Sequence, residues 1–316
     1  MKKVMRLFLA GIVLVGLSSC NSNDDWGGQA IGIPGITIDG DIDCCSAEEA
    51  LQVYRFLQTV KIIPELSTVV DGQYNVFAYS RNGSFHVGYN EIFFVATKKK
   101  NGNYVKNFNV TGLTPLMLMT KMNMKHSTPV AGSVESFNDG YLAVKRGWVS
   151  FLMNTSEAGS WTLGYNVEVL NSSGSVETGI TVGALPEGQS WLKSFKVGND
   201  TYFLSLVNPN DWQTGTNDIR AYVSKKSDPI TQPYALATEL FTIDIDPRMP
   251  DMGNHTSPDN TSLILQNDGS YAGTINLTMT GLWRIHLTVR DGNGNIVAGG
   301  KDLDEGLSSL YWDVTI

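Results

Sequence analysis

Apolar residues recur along this chain at two periods, and the change falls near residue 60. From Ser46 to about Thr59, Leu51, Tyr54 and Leu57 stand three apart, which predicts a short helix with one apolar face. Ser46-Ala47-Glu48-Glu49 opens it as a capping box, the Ser hydroxyl accepting from the Glu49 amide while Glu49 reaches back. Pro64 closes the segment. Everything beyond reads as strand. Residues 74–79, 91–96, 161–165 and 285–289 are short runs rich in β-branched and aromatic residues. Turn signals separate the runs, among them Asp291-Gly292 and Asn293-Gly294. This density of short strands predicts all-β domains of the sandwich type.

The pattern then repeats. Gly88-Tyr89-Asn90-Glu91-Ile92 followed by Lys98-Lys99 answers to Gly215-Thr216-Asn217-Asp218-Ile219 followed by Lys225-Lys226, an offset of 127. Met124 matches Met252 at 128; His126, Pro129 and Asn138-Asp139-Gly140 match His255, Pro258 and Asn267-Asp268-Gly269 at 129. Met153 pairs with Met279 at 126, and Trp161 with Trp283 at 122. Landmarks that keep their order while their offsets drift are what loop insertions leave behind. The reading is two tandem copies of one β-sandwich, residues 66–171 and 188–316, with a linker over 171–187.

Composition adds an N-terminal address. Lys2, Lys3 and Arg6 precede an eleven-residue apolar stretch from Leu7 to Leu17, too short to span a bilayer and right for a secretory signal. Leu17-Ser18-Ser19-Cys20 looks like a bacterial lipobox, which implies cleavage after residue 19 and a lipid anchor on Cys20. Residues 20–65 then hold a tether and the helix. Asn21-Ser22-Asn23-Asp24-Asp25 reads either as a solvated linker or as the acidic tether of surface-exported lipoproteins of the Bacteroidetes type. The expected place is the Gram-negative outer membrane, with membrane contact through that anchor. Losing residues 1–19 removes three basic residues and no acidic ones, so the net charge moves from -8 to -11. An acidic body argues against nucleic acid as a partner. Cys44 and Cys45 are the other cysteines; ligation of metal, intermolecular bridging and burial all stay open for them.

Candidate chemistry is concentrated in methionine and histidine. Residues 249–258 read MPDMGNHTSP, and 122–129 read MNMKHSTP. Thioether sulfur with imidazole nitrogen suits a soft ion such as Cu(I). The candidate ligands are Met249, Met252, His255 and Met279 in the second copy and Met122, Met124, His126 and Met153 in the first, with Met117 and Met119 nearby. Trp161 and Trp283 are available to shield an ion or stack on it. Methionine also fills cores and adaptable surfaces, so packing is the alternative reading. No enzyme is expected: the four histidines lack zinc-protease spacing, and no GxSxG elbow, P-loop or dinucleotide fingerprint is present. Asp39, Asp41 and Asp43 lack the glycine and distal glutamate of a calcium loop, and Asp244 and Asp246 read as solvent-facing strand residues.

Met249, Met252, Gly253, His255, Gly269, Tyr271, Met279, Gly281 and Trp283 together resemble the YtkA-like/FixH-like domains. Those are small extracytoplasmic immunoglobulin-like sandwiches with a Met-rich loop, a Gly-x-Tyr turn and a Met-x-Gly-x-Trp strand entry. The resemblance implies two tandem immunoglobulin-like domains and a copper-handling role, as a chaperone or sequestering protein exchanging Cu(I) with a protein partner. The competing expectation is a structural or adhesion module that displays loops to a protein or glycan.

Overall fold

The computed structural model describes residues 46–137 and 143–316. The signal segment, Cys20, the tether, Cys44, Cys45 and the Asn138-Asp139-Gly140 landmark lie outside the described residues. Helix α1 (Ser46–Leu57) forms where the spacing predicts it. Its buried face is not the Leu51-Tyr54-Leu57 row: Leu51 is exposed, and Tyr54 and Leu57 are half-buried. The helix lays Val53 and Phe56, with Val60 just beyond, into a buried cluster.

In the first copy the chain runs through β1 (Tyr74–Ser80), β2 (Gly88–Lys98), β3 (Phe108–Met119), β4 (Met124–His126), β5 (Lys145–Phe151), β6 (Gly159–Val169) and β7 (Ser172–Ile180). One sheet has the order β1-β2-β5 with short flanking strands, and the other has the order β7-β6-β3-β4. Their inner faces meet in one core, with Ile92, Phe94 and Val149 from the first sheet against Leu163, Tyr165 and Val167 from the second. Two antiparallel sheets so paired, with β2 on β5 and β3 on β6 on β7, form an immunoglobulin-like sandwich.

The second copy repeats the order. It comprises β8 (Leu192–Val197), β9 (Asp200–Leu206), β10 (Gly215–Lys225), β11 (Phe241–Met249), β12 (His255–Thr256), β13 (Tyr271–Leu277), β14 (Leu282–Asp291), β15 (Ile296–Gly299) and β16 (Tyr311–Thr315). β10 pairs β13, and β11 pairs β14. The last strand is split: β15 and β16 pair successive stretches of β14. The short strand Leu263–Leu265 joins β13 to β11, so hydrogen bonding is continuous from one sheet to the other.

Several repeat landmarks turn out to be folding devices. Asn90 accepts from the His86 amide and donates to the His86 and Gly88 carbonyls. Asn217 makes the same three bonds with Gln213 and Gly215. Gly88 and Gly215 hold φ of 87° and 101°, left-handed values that favour glycine. The Gly-x-Asn pattern is thus a side-chain brace at the start of one equivalent strand, and Ile92 and Ile219 follow it into the core.

One boundary differs from the sequence reading. Ser172–Ile180, within the expected linker, is strand β7, paired with β6 along its length. Its outward positions are Ser173, Ser175, Glu177 and Gly179, and most of its inward ones are Ser, Gly or Thr, so the apolar alternation that marks a strand is absent.

β2 is buried on both faces from Gly88 to Thr97. Ile92 and Phe94 face the sandwich core, whereas Phe93 and Val95 turn outward to α1. Full burial of each such side chain contributes roughly 1.5–3 kcal/mol. The end of that outer face at residues 89–91 meets the second copy. Tyr89 and Trp148 stack with Tyr222, the Trp148 and Tyr222 rings 4.5 Å apart. Backbone bonds cross the same junction: Ser127 N donates to Ile230 O (2.7 Å), Tyr234 N to Thr128 O (3.0 Å) and Val130 N to Tyr234 O (3.2 Å). The Ser150 and Ser205 hydroxyls are bonded at 2.7 Å inside it.

Candidate functional site

The Met–His segments are hairpins attached to the second sheet of each sandwich. β3 returns as β4, placing Met117 opposite His126 and Met119 opposite Met124. Met117 also lies opposite Trp161 on β6. A row His126–Met117–Trp161 therefore runs across three strands. The second copy repeats it: Met249 faces His255, and Arg248 faces Arg284, so the next position in register sets Met249 against Trp283. The structural counterpart of Met249 is thus Met117, not Met122.

Two of these sulfurs are packed inside the cores. Met117 and Met249 are 1% and 4% exposed. The Met117 methyl lies 2.6 Å from where a Cβ on Gly159 would sit, and the Met249 methyl 3.0 Å from one on Gly281. Small glycines make room for thioethers on the neighbouring strand. Met153 and Met279 pack at the edges of the two cores. Their carbonyls accept the Trp161 and Trp283 indole N–H at 2.8 and 2.9 Å. The Met-x-Gly-x-Trp spacing is thereby a turn that caps an indole in the second copy, and the first copy reaches the same bond through a longer loop.

The remaining candidates lie outside. Met122 and Met252 are 58% and 55% exposed at the hairpin tips; Met124 and His255 are also exposed. His126 is buried, edge-on to Trp161 at 5.6 Å. Its Nδ1 donates to the Ser127 carbonyl at 2.8 Å, which leaves Nε2 with the lone pair. The segment beyond has diverged. The Thr128 hydroxyl donates to the Ser150 carbonyl and the Ser257 hydroxyl to the Asn276 carbonyl, which marks the two stretches as equivalent. In the first copy this stretch is the domain junction. In the second, Asn260 donates to the Ser257 carbonyl, occupying the acceptor whose counterpart in Thr128 serves the partner domain. Among the described residues no group of three His, Cys, Asp or Glu gathers as a metal site.

A second site falls on residues the sequence did not mark for chemistry. Where the two sandwiches meet, a polar cleft of about 360 Å³ opens between residues 80–91 and the 208–211 turn. Its base is Glu91, which is buried. Arg81 donates to Glu91 Oε2 at 2.7 Å, and Asn208 Nδ2 reaches the same oxygen at 3.3 Å from the other domain. Arg146 lies 3.6 Å from Oε1. His86 forms one wall, edge-on to Trp191 of the second domain at 5.2 Å. Its Nδ1 donates to the Val87 carbonyl, and burial lowers its pKa, with that bond opposing. Burial holds the neighbouring Tyr89 phenol well above its ordinary range, and Glu91 adds to the rise. The sequence marked Tyr89, Asn90 and Glu91 only as part of a repeat landmark; the carboxylate heading the apolar run Ile92-Phe93-Phe94 was the signal that could have found the site.

No family model and no curated protein matches the chain. Solved structures share the strand-rich outline loosely. The Yersinia pseudotuberculosis adhesin InvE aligns at 9% identity and a TM-score of 0.17, over 74% of this chain and 55% of its own. Invasin, a bacterial integrin-binding protein, aligns at 12% and 0.20, over 77% and 39%. The Bacteroides ovatus mixed-linkage glucan utilization locus protein SGBP-B, in complex with a mixed-linkage heptasaccharide, aligns at 13% and 0.16, over 71% and 63%. The chain thus spans about half or less of the first two, and none of the three superposes closely enough to bear on function.

Proposed function

We propose that this chain is a non-enzymatic recognition module of the cell envelope, in which two immunoglobulin-like sandwiches held as one body bind a protein or glycan. The fixed junction carries the reading. Stacked aromatics and backbone bonds across it hold the surfaces of both domains in one orientation, which lowers the ordering cost of binding. The lipobox at Cys20 supports a lipid-anchored position in the outer membrane. Two measurements test the proposal. Protease accessibility on intact cells should show the chain displayed, and the purified mature chain should bind cell-surface material by interferometry without turning it over. Protection until lysis together with absent binding would sink it.

One observation favours Cu(I) as a second reading: the His–Met–Trp row occurs in both copies, and His126 Nδ1 is already fixed by a carbonyl as in many metal-ligating histidines. His126, Met124 and Met122, with Met153, would hold the ion in one copy and His255, Met249, Met252 and Met279 in the other. The burial of Met117 and Met249 supports packing instead. In competition with a chromophoric chelator this reading expects one or two equivalents of Cu(I). If wild type competes no better than a variant with Met124, His126, Met252 and His255 all changed to Ala, it falls.

A further inference from the structure

We infer that the cleft at the domain junction is a binding site for a neutral saccharide. The inference rests on the recognition reading and adds to it a place and a ligand chemistry. The volume of about 360 Å³ lies within the roughly 300–1,000 Å³ typical of small-ligand sites.

Charge excludes the simplest alternatives. The cation at the cleft, Arg81, is already paired with buried Glu91, so an anion gains no free positive partner. Glu91 in turn is bonded by Arg81 and Asn208, which leaves Asp211 as a single carboxylate, and among the described residues no three metal-ligating side chains gather here. What remains is a mixed set of unused hydrogen-bonding groups. Asn82 spends its carbonyl oxygen on the amide and hydroxyl of Ser84, which leaves its NH₂ as a donor. His86, with Nδ1–H committed to Val87, offers Nε2 as an acceptor. Among the described residues Asn210 and Asp211 have no side-chain hydrogen-bond partner, and they line the wall supplied by the second domain, the one as donor and acceptor, the other as acceptor. Each sugar hydroxyl both donates and accepts, so donors and acceptors on facing walls suit a ligand rich in hydroxyls. The walls come from different domains, and the buried Glu91 network fixes the base beneath them.

The test is calorimetric titration of the mature chain with short neutral β-glucan, α-glucan, mannan and xylan oligosaccharides. At least one series should bind. Asn82→Ala and Asp211→Ala, both exposed positions that leave the Glu91 network intact, should each weaken that binding about tenfold or more, while Lys196→Ala on β8 should not. Unfolding transitions matching wild type would show that the variants are folded. The inference is overturned if no series binds, or if both cleft variants bind as wild type does. Cell-surface binding that persists in either event leaves the recognition proposal standing and removes only the saccharide cleft.

Discussion

At the scale of single residues, the repeated landmarks were readable because each does a job that few residue types can do. An Asn that braces a bend, a Gly that admits a methionine methyl and a Trp that needs a carbonyl for its indole leave recognisable letters in both copies. Their chemistry was less readable, because a buried thioether and a metal-ligating one look alike in sequence. His86 gives a prediction at this scale. Its pKa is lowered from 6.5, chiefly by burial. The unfolded chain therefore takes up the proton first, so stability is full above about pH 6.5 and declines as the pH falls below it. Urea midpoints measured from about pH 7.5 to 5.5 should drop in wild type and drop less in His86→Gln. Equal slopes would remove His86 as the source.

At the scale of elements, α1 forms a third layer on β2 and on Ala143 and Val144 just ahead of β5. Phe56 is buried against Phe93 at a ring separation of 4.9 Å. Phe56→Ala should destabilise the first sandwich by about 3–5 kcal/mol, read by chemical denaturation. A loss under about 1 kcal/mol would mean that the helix is a loose appendage, since a surface substitution costs no more than that. The helix was legible from Leu51, Tyr54 and Leu57, but the face it buries was not, since Val53 and Phe56 carry the contact. Strand β7 was not, because edge position and short polar side chains erase the alternation that betrays a half-buried strand. The uninterrupted apolar run in β2 gave no hint of what lay on its outer face, since two-sided burial looks the same whatever supplies the second side.

At the scale of the molecule, duplication was visible and the junction was not. Its parts are separated by dozens of residues, as with Ser150 and Ser205 or Glu91 and Asn208, and no local pattern announces that they meet. If the junction holds the two sandwiches as one cooperative body, Trp148→Ala combined with Tyr222→Ala should split one thermal transition into two and lengthen the particle in small-angle scattering. A single transition of wild-type shape would mean that the stacked rings are not what couples the domains.

The outer face of the first sandwich carries Tyr89, Glu91, Trp148 and Ser150 at the junction. The matching positions of the second are Thr216, Asp218, Thr274 and Asn276, exposed or half-buried. The ancestral copies have lost their interchangeability: on this face one became a socket and the other stayed polar. Exchanging their order along the chain would strand the aromatic patch of the first in water and set threonines where rings now pack. A repeat of two has acquired a direction.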